Sequence, residues 1–215
     1  MAYRLYHYWR SSSSWRVRWA FVLKQVPCEH TPIDLLKKEQ QSPEHLKRNP
    51  SGAVPVLEIT DNKNKIIGRI AESTAIIEWA EENFSEPKLL PGDSLRRARV
   101  RQLSQIINSG IQPIQNLKVQ QFYSENKENQ KEWSRHWIRK GLQVYEAIVK
   151  ETAGKFSVGS EITMADLFLI PQCYNAERYE ISLKEFPTIA KINANGLATE
   201  SCKAAHPDRF KPAEA

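Results

Sequence analysis

Cysteine is scarce in this sequence. The 215 residues contain three, Cys28, Cys173 and Cys202. The number is odd and no two have C-x-x-C spacing, which excludes a paired disulfide framework and a cysteine zinc site, and fits a reduced, intracellular protein. Long apolar runs are also missing. None approaches the roughly 20 residues of a membrane span, and Met1 to Arg10 lacks the apolar stretch of a signal peptide. A cytoplasmic location and no membrane partner are the expectation. The five histidines show neither metal-ligand spacing nor a Ser–His–acid arrangement, so no metal is expected. No basic run reaches five residues, although 31 basic and 25 acidic residues leave a charge of +6. The six tryptophans do not alternate with basic clusters, so no nucleic-acid partner is expected either. Part of the excess charge can instead surround a site for small anions.

What is present is a globular composition, 40% apolar and 26% charged, long enough for a sizeable core. Residues 3–9 read as an aromatic-rich strand. Four serines follow, Ser11 to Ser14, and then WRVRWAFVLK, a helix with one apolar face carried by Val17, Ala20 and Phe21. Cys28 to Asp34 reads as a second strand. Ser42-Pro43-Glu44 starts a short helix that ends by Asn49-Pro50. Val54 to Ile59 and Ile66 to Ala71 are two further strands, and Ser73 caps the helix TAIIEWAEENF. This order is an α/β thioredoxin-like unit over 1–85. A linker rich in proline and glycine follows at 86–92. Beyond it no strand alternation occurs, so 93–215 is expected to be an all-α domain. Its helices are one long stretch from Ser94 to about Tyr123, bent near Pro113, a second over Glu128 to Thr152, and a third from Thr163.

The serine run has two readings. A helix cap with a polar loop explains it by itself. Its position between a first strand and a first helix also puts it where backbone N–H groups and the helix dipole favour an anion. A thiol redox enzyme would carry cysteines there. Here any reactive thiolate must arrive on a ligand, and a free thiol of pKa about 8.5 is only slightly ionised at neutral pH. Val54-Pro55 is either a plain strand start or a free strand edge for an extended peptide. Glu72-Ser73 opens a helix whose N-terminus can hold a carboxylate while Glu72 faces an ammonium. Thr163-Met-Ala-Asp166 has capping-box spacing and reads as structural.

Taken together, these residues resemble a known family. Ser11-Ser12-Ser13-Ser14-Trp15-Arg16-Val17-Arg18 is similar to the SSCSxRVR signature of zeta-class glutathione transferases, the maleylacetoacetate isomerases. The resemblance continues in order through Val54-Pro55, Glu72-Ser73, Leu89-Leu90-Pro91, Gly110 to Asn116, Thr163 to Asp166 and Asn175-Ala-Glu-Arg178. It implies the glutathione transferase fold, glutathione as cosubstrate, a homodimer, and a place in phenylalanine and tyrosine breakdown. It implies catalysis at Ser11, Ser12 and Ser13, with Ser11 hydrogen-bonding the glutathione sulfur. Glutathione contacts are implied for Ser11, Ser12, Ser13, Ser14, Trp15, Arg16, Gln40, Val54, Glu72 and Ser73, and from the helical domain for Gln112, Asn116, Leu117 and Lys118. Arg178, with Arg10, is implied to bind a carboxylate of a small dicarboxylate substrate. The chemistry is reversible thiolate addition to a conjugated cis double bond, which permits rotation before elimination. Ser13 stands where the class usually has Cys, and Glu72 where it more often has Gln. Two alternatives follow from these departures and from the charge: transfer or dehalogenation on small α-halo acids, and a non-catalytic binding module.

Overall fold

The structure is a computed structural model that describes residues 1–213. The chain divides into two compact units, Met1–Pro87 joined by the chain from Glu200 onward, and Lys88–Thr199. The last helix thus clusters with the strand-containing unit rather than with the other helices.

The first unit runs β1 (Ala2–His7), α1 (Ser12–Leu23), β2 (Glu29–Pro32), α2 (Pro43–Arg48), β3 (Val56–Thr60), β4 (Ile66–Ala71), α3 (Ser73–Asn83) and, after the second unit, α9 (Glu200–Ala205). The strand order is β2-β1-β3-β4. β1 is parallel to β2, and β3 is antiparallel to both β1 and β4. This is the thioredoxin-like arrangement that the element order implies. The central strands are covered on both faces, so Leu5, Tyr6 and His7 are all buried instead of alternating. Tyr3 meets Phe21, Trp79 and Phe84 edge-on at 6.3, 5.6 and 5.8 Å.

The apolar-face reading of α1 needs correction. Every residue from Ser12 to Phe21 is buried, including Arg16 and Arg18, because α3 and α9 pack against the helix. A helix covered all round shows no amphipathic stripe.

The second unit holds α4 (Ser94–Asn108), α5 (Leu117–Tyr123), α6 (Lys127–Val149), α7 (Met164–Arg178) and α8 (Pro187–Leu197). α7 is buried along nearly its whole length and packs on α4, α6 and α8. The Asp166 carboxylate accepts from the backbone N–H groups of Ser157 and Thr163, both at 2.8 Å, and from the Thr163 hydroxyl at 2.9 Å. Burial pushes its pKa up and these donors oppose that. The expected single helix from Ser94 to Tyr123 is in fact two. α4 stops at Asn108, turns follow, and Asn116 caps a new helix. Pro113 brings no N–H to continue the ladder, and Asn116 supplies a cap instead. A side chain at Gly141 of α6 would collide with Ile111, so this glycine seats the turn segment.

Candidate active site

In the first unit the chain leaves β1 at His7 and turns through Tyr8–Arg10 into α1. The Ser11 N–H donates to the Tyr8 carbonyl at 3.1 Å, closing the turn. Ser11 is extended, φ −66° and ψ 121°, and its Oγ accepts the Ser14 N–H at 3.2 Å. It is therefore the N-cap of α1, as the cap reading holds. The same geometry also serves the functional reading. A hydroxyl that accepts at a lone pair still has its proton to donate, and the bond it accepts polarises that proton. Ser11 is half-buried at the positive end of a helix, which suits an anionic acceptor such as a thiolate.

Ser12 and Ser13 keep a sliver of exposure, 7% and 8%, and neither hydroxyl is bonded to another described residue. Sequence resemblance puts Ser14, Trp15 and Arg16 among the glutathione contacts. The structure buries all three completely, and each is held by partners within the fold. Ser14 Oγ accepts the Tyr8 N–H at 3.4 Å. The Trp15 ring meets His206 at 4.9 Å. Arg16 Nη1 donates to Ser73 Oγ at 3.2 Å. Burial lowers the Arg16 guanidinium to about 9, the Glu72 carboxylate opposing, so the group is still cationic at neutral pH.

Ser73 is not the cap of α3. It is the first helical residue, and Glu72 holds the cap position with φ 68° and ψ 118° and no side-chain cap bond. A positive φ in a residue with a Cβ is strained and persists only where the surroundings impose it, as at ligand sites. Because Ser73 Oγ accepts from Arg16, its own proton is available to a carboxylate at this helix start.

The residues expected to meet the peptide in this unit include two on neighbouring loops, Gln40 and Val54. His45 Nε2 and Asn49 Nδ2 both donate to the Ala53 carbonyl, at 3.0 and 2.9 Å. The next residue, Val54, precedes a cis Val54–Pro55 bond, and no described residue hydrogen-bonds its backbone. Gly52 has φ +60°, and a Cβ there would meet Gln41 Nε2 at 2.6 Å and the Gln40 carbonyl at 3.2 Å. The missing side chain thus lets the turn Glu39–Gln41 lie against the Val54 loop. Gln40 Oε1 is buried without a partner among the described residues. An unpaired buried amide oxygen and an unpaired strand-end backbone are groups that an extended peptide such as glutathione can satisfy. Arg10, half-buried, lies over the Trp9 ring at 5.4 Å.

In the second unit Gln112 is half-buried in the turns after α4, its N–H donating to the Ile107 carbonyl at 2.9 Å. Asn116 caps α5 by accepting the Lys118 N–H at 3.2 Å, and Leu117 and Lys118 are exposed. A glutamine network underlies this segment. Gln115 and Gln172 exchange amide bonds of 2.8 and 3.0 Å, and Gln120 donates to the Gln115 carbonyl at 2.5 Å and to the Tyr179 hydroxyl at 2.8 Å. Arg135 Nε donates to the Tyr179 carbonyl at 3.0 Å. The network therefore links the Gln112–Lys118 segment to the residue after Arg178, which is exposed at the C-terminal end of α7. Sequence reading missed the roles of Gln115, Gln120, Gln172 and Arg18. The one available signal was a pair of arginines two residues apart within an otherwise apolar helix. Among the described residues no group of three or more His, Cys, Asp or Glu is placed to hold a metal ion, and no helix is long and apolar enough to cross a membrane.

A thioredoxin-like unit with a serine at the cap of its first helix, followed by a helical unit, defines a class. The glutathione S-transferase family models match here, the N-terminal domain over residues 5–88 and the C-terminal domain over 112–203. The chain belongs to the glutathione S-transferase family, in its zeta class. Within that class it is 44% identical to the maleylacetoacetate isomerase of Mus musculus, over 95% of this chain and 92% of that protein. A crystal structure of maleylacetoacetate isomerase from Anaeromyxobacter dehalogenans 2CP-1 with glutathione bound in its active site superposes with a TM-score of 0.90. It is 43% identical, covering 100% of this chain and 98% of that one. A maleyl pyruvate isomerase, described as a bacterial zeta-class glutathione S-transferase, also gives 0.90 at 32% identity over 99% and 100% of the two chains.

Proposed function

We propose that this protein isomerises maleylacetoacetate to fumarylacetoacetate with glutathione as cosubstrate, as a step of phenylalanine and tyrosine breakdown. The observation that carries the reading is the Ser11 hydroxyl, which accepts the Ser14 N–H at 3.2 Å and keeps its proton for a ligand. Support also comes from the zeta-class relatives. One A. dehalogenans structure contains bound dicarboxyethyl glutathione and citrate in its active site. A cytoplasmic homodimer completes the proposal.

Glutathione supplies a thiolate that adds reversibly to the cis double bond, so that rotation and elimination give the trans isomer. The protein's part is to hold and charge that group. Lowering a thiol pKa by about two units requires roughly 2.7 kcal/mol. A hydrogen bond from Ser11 to an anion contributes about 1.5–3 kcal/mol and the α1 N-terminus about 0.3–1, so the two suffice. Ser12 and Ser13 offer further hydroxyls. Ser13 is a poor nucleophile near neutral pH, so the reaction does not depend on a protein thiol there. Val54 pairs its backbone with the peptide, Gln40 accepts from it, Ser73 holds the γ-glutamyl carboxylate and Glu72 faces the ammonium. Gln112, Asn116, Leu117 and Lys118 are the further glutathione contacts that the zeta-class resemblance implies. Arg178, with Arg10, binds substrate carboxylates.

The test is purified protein with maleylacetone, with and without glutathione. Glutathione-dependent cis–trans conversion is expected, and its absence overturns the proposal. Faster turnover of an α-halo acid would assign a transferase or dehalogenase. Failure to bind glutathione together with a stable protein or RNA partner would assign a binding module.

A further inference from the structure

Arg18 is 1% exposed, and among the described residues no carboxylate pairs with it. Its guanidinium is occupied instead by the main chain around the catalytic turn. Nη2 donates to the Trp9 carbonyl at 3.0 Å, Nη1 to the Tyr8 carbonyl at 3.5 Å and to His7 Nδ1 at 3.1 Å, and Nε to the Ala205 carbonyl at 3.2 Å. One fork thus grips three successive residues leaving β1 and, on its other edge, the end of α9. The Phe210 ring covers the cation, 4.5 Å from its Cζ, and is itself wedged against His7 at 5.5 Å and His30 at 4.8 Å.

The gripped residues are the ones that set Ser11. The Tyr8 carbonyl that Arg18 holds also accepts the Ser11 N–H at 3.1 Å, and the Tyr8 N–H donates to Ser14 Oγ at 3.4 Å. A displacement of Tyr8 therefore moves both the residue that carries the hydroxyl and the residue whose N–H polarises it. A buried cation without an anionic partner is costly and persists only where several dipoles face it. Here three carbonyls, the His7 imidazole nitrogen and a ring face do so. Lysine cannot reproduce this, because it is a point charge without the planar fork.

We propose that Arg18 is a positioning residue for Ser11, and that the C-terminal segment from Ala205 to Phe210 belongs to the catalytic architecture as the second anchor of its guanidinium. The proposal rests on the reading that Ser11 stabilises the glutathione thiolate. Arg18 touches neither glutathione nor substrate in this scheme. Its effect is on the aim of the Ser11 hydroxyl, and misplacement by a fraction of an ångström to one ångström is enough to cost an order of magnitude or more in rate. The sequence signal is the Arg at the end of the RVR triplet, one turn beyond Ser14.

The experiment follows the thiolate absorbance of bound glutathione against pH for wild type, Ser11→Ala, Arg18→Gln, Arg18→Lys and Phe210→Leu, with glutathione affinity measured in parallel. Arg18→Gln is expected to raise the bound thiol pKa by about one unit and lower kcat about tenfold at pH 7, with the glutathione Kd changed less than about threefold. Arg18→Lys is expected to restore less than half of that shift, and Phe210→Leu to raise the pKa by about half a unit. A purely structural role would change the folded fraction and leave the thiol pKa alone. A depressed pKa in wild type that persists in folded Arg18→Gln overturns the Arg18 proposal and leaves the Ser11 reading intact. An ordinary thiol pKa in wild type overturns the Ser11 reading and this proposal with it. Should Arg18→Gln fail to fold, Phe210→Leu decides, and an unchanged pKa in that variant refutes the coupling.

Discussion

Ser11 has an observed duty as a helix cap and a proposed one at the glutathione thiolate, and a pair of substitutions separates them. Its Oγ caps α1 by accepting the Ser14 N–H at 3.2 Å, and its proton is assigned to the glutathione sulfur. Ser11→Ala removes both. Loss of a serine cap to alanine costs about 1 kcal/mol, whereas replacement by glycine costs only a few tenths. Ser11 sits at φ −66° and ψ 121°, a conformation open to either residue. The two variants should therefore differ in stability by roughly 0.5–1 kcal/mol in urea unfolding. Both lose the same hydrogen bond to an anion, about 1.5–3 kcal/mol, which corresponds to a fall of about 10- to 100-fold in kcat/KM for glutathione-dependent isomerisation of maleylacetone. Matched activity loss with unmatched stability loss is the expected signature. Near-normal turnover in Ser11→Gly would refute the thiolate role outright. Activity that tracks the stability difference would reduce Ser11 to a helix cap.

Four further outcomes are expected. Ser73→Ala removes the donor proposed for the γ-glutamyl carboxylate and should raise the glutathione Kd about tenfold by calorimetry, equivalent to about 1.4 kcal/mol; an unchanged Kd places that carboxylate elsewhere. Gln120→Leu cuts the tie between the Gln115 carbonyl and Tyr179, and should raise KM for both glutathione and the dicarboxylate several-fold with kcat changed less; unchanged KM values would contradict a role for this network in either contact. Asp166→Ala strands the Ser157 and Thr163 N–H groups and should destabilise the protein by about 4 kcal/mol in urea unfolding; a loss below about 1 kcal/mol would contradict the buried-cap role. His7, 2% exposed, is held down to about 3 by burial first and by Arg18 second. The native state thus refuses a proton that the unfolded chain takes up below about 6.5, so stability is fully present above that pH and falls as pH drops toward 3. The loss between pH 7 and 5 is about 2 kcal/mol from this residue, and His7→Asn, which offers an amide oxygen to Arg18, should flatten the pH dependence by that amount.

Much of the local structure was legible because it depends on near neighbours. Ser42-Pro43, Thr163 with Asp166, and a serine before WRVRWAFV each announce a helix start through bonds made within three residues. The strand at Ile66–Ala71 was likewise readable from β-branched residues between turns. The serine run pointed to an anion site, and the chain-long resemblance pointed to the family. Burial was not legible in the same way. α1 looks amphipathic by composition, yet α3 and α9 close over every face of it. That covering is made by segments more than fifty residues distant, so no periodicity within the helix records it.

The same distance dependence explains the site. Sequence determined which residue carries the hydroxyl and that no cysteine stands beside it. Tertiary structure decided that Ser14, Trp15 and Arg16 are buried, that Glu72 rather than Ser73 holds the cap position of α3, and that Gly52 admits the Gln40 turn. It also decided that Arg18 joins Tyr8 and Trp9 to Ala205, 187 residues along the chain. A cap is settled by bonds the chain makes with itself within one turn. A buried cation is settled only when carbonyls from both ends of the sequence arrive around it, since nothing local can replace the water it loses.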